Sequence, residues 1–577
     1  MQITNLKKTH TKLNRIGWIS ILIIFAGVLI VVRLFFLQVV NGRTYSDKAD
    51  RQYSTPAGSV FERGTIYFSK KDGATVSAAT VMTGFRIAIN PKKVVNPEEI
   101  FQKINAIVPL DRTSFDKSIA RKNDPYEEIA NRISKEQADQ VEGLHLTGVS
   151  LYKEKWRFYP GGSMSAQTLG FVGFDGDLLT GRYGLERSYD STLARSKDDA
   201  YTNPFAEIFT NISKTFFKNT NREGDIITTI EPQVQLYVEK MLIDLNTKWQ
   251  PESTGIIVMD PNNGEIVAIG SLPSFNPNQY SNSAVGNFTN PMTEKVYEMG
   301  SVIKPLVMAA ALDAGVLTKD TTYLDKGFVQ VKDRTINNFD KKGRGKTTMQ
   351  MVLDQSLNTG MVFAEQQLGK EKMRDYMLGY KIGEKTGIDL PSEIGGLVSN
   401  LKKNNDVELA NASFGQGIAL TPVGAIRAFA SIANGGVLVT PHIAKEILYS
   451  DTGSKVLEYP TTRNTLKPET TPKITEMLVH IIDKAYLEGK YSLPHYSIAG
   501  KTGTAQIALP NGGGYYDDKH MHSFFGYFPA SKPRFIVYMY MYIRDPKGAQ
   551  YASQTLLPQF ADISKYLINY YQVPPDR

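Results

Sequence analysis

Apolar positions along this chain repeat in three ways, and each predicts a different element. The first is an unbroken run. Residues 17–40 are apolar except for Ser20, Arg33 and Gln38, and a membrane span needs about 20 such residues. Lys7, Lys8, Lys12 and Arg15 precede it, and no acid occurs before it. A basic flank stays inside, so everything after about residue 40 is expected on the outer side of a membrane. Arg33 lies near the outer end, where its side chain can snorkel to the interface. No small-residue cleavage pattern follows, which predicts an uncleaved single-pass anchor rather than a signal peptide.

The second pattern is short and strand-like. It predicts strands at 85–89, 225–230, 255–259, 265–269, 498–507 and 535–543, with the turn Asp260-Pro261-Asn262-Asn263-Gly264 joining the third and fourth as a hairpin. The third pattern has helical spacing. It predicts a polar helix within 116–140, a helix over 232–245, mostly helices from 296 to 380, and another over 422–432. Strands at both ends of a region with helices between them predict an α/β (α+β) fold, a mainly antiparallel sheet flanked by helices. The expected organisation is a cytoplasmic tail (1–16), the anchor (17–40), a mixed α/β pedestal (41–225), a second domain (226–571) and a short tail (572–577). Residues 197–221 read as a polar, aromatic insertion.

Composition narrows the function classes. The 577 residues are 41% hydrophobic and 21% charged, a globular balance with material for more than one domain. The net charge of +8 has no dense basic block behind it, so no nucleic-acid role is expected. The chain has no cysteine, which excludes disulfides, thiolate catalysis and cysteine-bound zinc. His520 and His522 read as loop or surface residues, and no helical His-Glu-x-x-His occurs. No metal or cofactor is expected.

The candidate chemistry begins at Ser301 and Lys304, in the run Tyr297 to Gly315. Three other Ser-x-x-Lys pairs occur, Ser114–Lys117, Ser150–Lys153 and Ser399–Lys402. They lie respectively in a charged region, a strand-like run and a polar loop-like run. Only Ser301 is followed by an apolar, alanine-rich helix pattern, with Pro305 in its first turn. Residues three apart share a helix face, so the Lys304 amine falls beside the Ser301 hydroxyl. A helix N-terminus favours a developing alkoxide. That pairs a nucleophile with a base. Ser356 and Asn358, two apart in a loop, can relay a proton and hold a substrate amide. Lys501 and Gly503 share one face of a strand, where the lysine can meet a carboxylate and the glycine can let a substrate backbone approach. Thr502 and Thr504 add hydroxyls, and the backbone N–H groups of Ser301 and Thr504 can form an oxyanion hole.

Each motif is weak alone, but the ordered set is specific. With it the chain resembles a class B penicillin-binding protein, a monofunctional peptidoglycan D,D-transpeptidase, over nearly its whole length. Further matching runs are Arg63-Gly64-Thr65-Ile66, Tyr183-Gly184-Leu185-Glu186, TTIEPQVQ at 228–235, TGIDLPSE at 386–393, SFGQG at 413–417 and HSFFGYFPASKPRF at 522–535. Tyr67-Phe68-Ser69 stands where the family usually has Asp-Arg, and Met299 and Val302 also depart from its pattern. The resemblance implies Ser301, Lys304, Ser356, Asn358 and Lys501 as catalytic residues, and Thr502, Gly503 and Thr504 as substrate-binding residues. It implies peptidoglycan stem peptides as substrate and β-lactams as covalent ligands. It also implies work at the bacterial cytoplasmic membrane with a lipid-II-polymerising glycosyltransferase of the SEDS type and other divisome proteins, since the chain shows no glycosyltransferase domain. SFGQG and the pattern around Ser356 resemble the septal division type more than the elongation type. The alternatives are a membrane-anchored D,D-carboxypeptidase or β-lactamase, a β-lactam sensor, and a non-catalytic divisome scaffold. No deacylating glutamate stands out, and neither the extra spans nor the zinc motif of a sensor is present.

Overall fold

The computed structural model describes Trp18, residues 24–30, Arg33, and residues 62–577 other than 177, 196–222, 404, 450–452, 464–465, 510–513 and 545–549. The expected cytoplasmic tail, most of the expected anchor and the insertion at 197–221 lie outside the described residues. Among the described residues, no helix is long and apolar enough to cross a membrane. The described residues from 62 onward divide into two compact units, Met82–Trp156, and Glu62–Val81 with Arg157–Arg577.

In the smaller unit, the second half of strand Thr75–Ile89 pairs antiparallel with Glu127–Ile133, placing Ile89 opposite Glu127. Helices Pro97–Asn105, Arg112–Ala120 and Lys135–Glu142 pack Ile100, Ile104, Phe115 and Val141 against Ile87 and Ile89. The polar helix expected within 116–140 is therefore the end of one helix, a strand and the start of another. Local chemistry makes the breaks. Asn123-Asp124-Pro125 is a turn signal, and Ser134 with Gln137 forms a capping box that starts the last helix.

The larger unit is built on a five-stranded antiparallel sheet. Its order is Ala499–Ala508, Tyr515–Phe528, Phe535–Arg544, Ser253–Met259 and Ile266–Leu272. The central strand, Phe535–Arg544, is apolar on both sides. Ile536, Tyr538 and Tyr540 enter one core, while Val537, Met539 and Met541 enter the other. Successive side chains alternate across a sheet, so two apolar faces require two covers. Helices Pro232–Trp249 and Leu557–Tyr571 cover one face with Val238, Leu242, Phe560 and Leu567. Helices Lys304–Asp313 and Pro422–Ala433 supply the core on the other. This is the expected α/β class, a mainly antiparallel sheet between helices.

A second sheet in this unit gathers strands from distant parts of the chain. Ile66–Ser69 lies parallel to Gly224–Thr228, with Ile66 opposite Ile226. Gly224–Thr228 pairs antiparallel with Ala444–Tyr449, which pairs in turn with Gly453–Val456. The unit thus takes strands from both sides of residue 225. Beside this sheet lies a buried charge network. Glu186, fully buried, accepts Arg63 Nε at 2.6 Å and Arg157 Nε at 2.5 Å, and the Tyr159 hydroxyl lies 3.2 Å away. Arg63 also pairs with Asp190 at 2.8 Å, and Arg157 donates to the Gly64 carbonyl at 2.7 Å.

Three local expectations are corrected. The helical stretch expected from 296 to 380 is interrupted by strand pairs Thr322–Asp325 with Gly345–Thr348, and Phe328–Val331 with Arg334–Asn337. These strands are too short for their period to show beside the helices. Ser399–Lys402 is one helical turn rather than a loop. Residues 572–577 are not a free tail: Asp576 accepts Ser497 N–H at 2.7 Å, and Arg577 donates to Leu493 O at 2.9 Å.

Candidate active site

Ser301 stands in a short 3-10 turn, Gly300–Ile303, that runs directly into helix Lys304–Asp313. In such a turn residues three apart eclipse one another, which aligns Ser301 with Lys304. The turn is held from two sides. Gly300 has φ +64°, and a Cβ there would lie 3.0 Å from Ala505 Cβ. Gly415, at φ +85°, lies so close that a Cβ would be 2.1 Å from Gly300 O. Among the described residues, the Ser301 hydroxyl has no hydrogen-bond partner, and Ser301 is half-buried.

Helix Lys304–Asp313 is buried along its whole length, Lys304 included. Burial pushes the Lys304 amine well below its ordinary value, and the nearby charge of Lys501 pushes the same way. Its Nζ lies 2.5 Å from Ser356 O, 2.8 Å from Asn358 Oδ1 and 3.2 Å from Ser356 Oγ. A neutral amine has two N–H groups and one lone pair. In that form the two carbonyl oxygens would take the N–H groups and the lone pair would face a hydroxyl. Ser356 is kept in reach by a left-handed backbone, φ +56°, between helices Met349–Asp354 and Asn358–Leu368.

Asn358 also holds Lys304. Its Oδ1 accepts from Lys304, and its Nδ2 donates to Asn337 O at 3.0 Å. One N–H of Nδ2 is thus used by Asn337 and the carbonyl orients Lys304, while the second N–H of the amide stays available to a substrate. Asn337 ends the hairpin strand Arg334–Asn337, and nothing in the sequence pattern marked it as part of the site.

Lys501 is fully buried on strand Ala499–Ala508. Its Nζ donates to Ser356 Oγ at 3.1 Å, to Tyr486 Oη at 2.8 Å and to Thr502 O at 3.1 Å. Three protein acceptors thus surround its ammonium group. Thr502 N–H donates to Tyr486 Oη at 3.3 Å and so points out of the sheet edge. Residues two apart on a strand point alike, so Thr504 N–H also points outward, beside the Ala505–Gly300 contact. Thr504 Oγ1 accepts Ala552 N–H at 3.2 Å.

Gly503 is needed for a contact other than the expected substrate approach. A Cβ at 503 would lie 2.4 Å from both Met299 O and Ser523 Oγ. The room it leaves is filled by the nucleophile turn itself. Gly503→Ala should therefore push that turn away and slow β-lactam acylation at least about ten-fold, since misplacing reacting groups costs up to about a hundred-fold. Stopped-flow acylation would read this, and an unchanged rate would contradict it.

His522 is not a surface residue. It lies on strand Tyr515–Phe528, fully buried, with Nδ1 2.9 Å from Thr555 Oγ1. Burial, then the charge of His520, pushes its pKa down to about 4. The strand begins earlier than its apolar core suggests, which brings both histidines into the sheet.

The profile of the penicillin-binding protein transpeptidase domain matches residues 254–565, and that of the penicillin-binding protein dimerisation domain matches residues 60–203. The chain belongs to the class B penicillin-binding proteins. Stage V sporulation protein D of Bacillus subtilis is 30% identical over 98% of this chain and 86% of its own. The peptidoglycan D,D-transpeptidase FtsI homolog of Mesostigma viride is 27% identical over 99% of this chain and 98% of its own. Among solved structures, penicillin-binding protein 3 of Mycobacterium tuberculosis, complexed with aztreonam, shares the fold at a TM-score of 0.68 and 22% identity, covering 90% of this chain and 98% of that one. The transpeptidase-domain match contains Ser301, Lys304, Ser356, Asn358 and Lys501–Thr504.

Proposed function

We propose that this penicillin-binding protein is a peptidoglycan D,D-transpeptidase that crosslinks stem peptides during bacterial cell-wall synthesis and is acylated by β-lactams at the same serine. Ser301 Oγ attacks the penultimate D-alanine carbonyl of a donor stem peptide. The peptide C–N bond breaks, the terminal D-alanine leaves, and an ester to Ser301 forms. An amine of a second stem peptide then attacks that ester, which frees Ser301 and makes the crosslink. Lys304 accepts the Ser301 proton, and Ser356, between the two lysines, passes a proton to the leaving nitrogen. Ser301 and Thr504 N–H groups face the developing oxyanion. The Thr502 and Thr504 hydroxyls, under the charge of Lys501, hold the donor's terminal carboxylate.

The observation that carries this reading is Lys304: a fully buried amine three residues from Ser301, with its Nζ within 3.2 Å of Ser356 Oγ and 2.8 Å of Asn358 Oδ1. The basic start and apolar run of the sequence support a single-pass anchor in the bacterial cytoplasmic membrane, N-terminus inside, with 41–225 as pedestal and 226–571 as catalytic domain. Septal work beside a SEDS-type glycosyltransferase and other divisome proteins rests on the resemblance at 413–417 and around Ser356.

The test is covalent labelling of the full chain, in detergent, with a fluorescent penicillin, followed by peptide mapping. The expected result is a label on the peptide containing Ser301 that lasts many minutes. A label lost within seconds would make the protein a hydrolase instead, and a label on another residue would remove Ser301 as nucleophile.

A further inference from the structure

Tyr486 is no part of the family's motif set as it stands in this sequence, yet its hydroxyl sits among the groups of the lysine motif. Lys501 Nζ donates to Tyr486 Oη at 2.8 Å and Thr502 N–H donates to it at 3.3 Å, while Thr502 Oγ1 lies 2.8 Å away. A hydroxyl has one proton to give and two acceptor positions. Here both acceptor positions face N–H groups, which can only donate. The phenol proton has one partner left, Thr502 Oγ1. Thr502 is therefore the acceptor in that pair, and its own proton is not spent on Tyr486.

The turn that carries Tyr486 is built to hold it there. It follows a single π-helical turn, Ile481–Ala485, a feature that often marks functional sites. Leu487, Glu488 and Gly489 then take left-handed backbone angles in succession, φ +49°, +55° and +77°. Residues other than glycine hold that conformation only where their surroundings impose it. Gly489 packs so closely that a Cβ would lie 2.3 Å from Asp483 O. Asp483 is paired in turn with Arg577, whose Nη2 lies 2.9 Å from Asp483 Oδ1. The ring of Tyr486 lies 5.5 Å from Lys501 Nζ.

We infer that Tyr486 is a positioning residue for carboxylate recognition: by donating to Thr502 Oγ1 it turns the Thr502 hydroxyl into a committed donor to the terminal carboxylate of the donor peptide or of a penicillin. Lys501, surrounded by three protein acceptors, then acts on that carboxylate by its charge. The inference rests on the transpeptidase reading above, in which Thr502 helps to hold that carboxylate. Without the phenol proton, Thr502 could satisfy itself by donating elsewhere, and the substrate would lose an aligned hydrogen bond to its anion. Bonds to charged groups are the stronger kind.

The experiment is acylation kinetics of the full chain by a penicillin, resolved into the binding constant K and the acylation rate k2, for wild type, Tyr486→Phe, Thr502→Val and the double variant. Tyr486→Phe is expected to raise K about ten-fold, a typical effect of one hydrogen bond to a charged group, with k2 within about two-fold of wild type. In the Thr502→Val background the same change should cost nothing further, because the hydroxyl it orients is gone. An unchanged K, a loss confined to k2, or losses that multiply in the double variant would each overturn the role, the last by showing an effect that does not pass through Thr502. Wild type that forms no acyl-enzyme would remove the transpeptidase reading and this inference together. Wild type that acylates normally beside an unaffected Tyr486→Phe would remove only the inference.

Discussion

Replacing Lys304 with arginine stops acylation of Ser301, lowering the second-order rate with a penicillin by about a thousand-fold or more. Removal of a positioned base typically costs about 10²–10⁴, and here the same change disturbs Ser356 and Asn358. Arginine is charged and cannot lose its proton under these conditions, so it supplies no lone pair. Its larger head must also fit where Nζ now touches Ser356 O and Asn358 Oδ1. Lys304→Met, which keeps the stem and removes the amine, should lose as much, separating chemistry from packing. The pH dependence has a definite sign. Burial and Lys501 lower the Lys304 pKa well below that of an ordinary lysine, so the amine is neutral above its own pKa and is lost as a base only when the pH falls through it. Wild-type acylation should therefore begin to fall only at a pH well below that at which an ordinary lysine, with a pKa near 10.4, loses its neutral form. A steady ten-fold decline per pH unit starting near that value would rule out a neutral Lys304, and unimpaired acylation by Lys304→Arg would rule out its role as base.

The second large effect is on stability. Glu186→Ala should destabilise the larger unit by about 3–5 kcal/mol, the range for breaking a buried ion pair from one side. The carboxylate accepts from two guanidinium groups, and Arg63, Arg157 and Glu186 are all buried. Its removal strands two cations away from water. Asp190 still answers Arg63, but it is partly exposed and does not reach Arg157 in this arrangement. Replacing Arg63, Arg157 and Glu186 together by apolar residues of similar size should cost less than Glu186→Ala, because the one charge left without its partner, Asp190, is partly exposed and can be solvated. Denaturant unfolding of the full chain, followed by loss of penicillin labelling, measures both. A cost under about 1 kcal/mol for Glu186→Ala would show that water or another group already solvates the guanidiniums.

The sequence made Ser301 and Lys304 legible because their spacing and the apolar run behind them belong to one short element. The sheet was legible as well, since strands such as Phe535–Arg544 carry long apolar runs. What did not show was how separate elements meet. Asn337 touches Asn358 from a four-residue strand, too short to display a period. Tyr486 reaches Lys501 from a turn of left-handed residues fifteen positions earlier in the chain, and no helical or strand spacing predicts that reach. Gly503 matched its motif, but the atoms filling its space come from Met299 and Ser523. His522 looked like a loop residue because its polarity hid a buried strand position. The four Ser-x-x-Lys pairs give the same lesson from the other side, because Ser114–Lys117 also stands on a helix and differs from Ser301–Lys304 in what surrounds it.

The second sheet has a consequence for how the protein is made. Synthesis delivers Ile66–Ser69 first, its parallel neighbour Gly224–Thr228 much later, and Ala444–Tyr449 later still. Pairings so far apart in the chain form slowly, because a long loop must close before any contact rewards it. Until then each early strand waits with an unpaired edge, a template for any other extended chain nearby. A chain cut short between residues 228 and 444 would therefore carry Gly224–Thr228 without Ala444–Tyr449 to cover its outer edge.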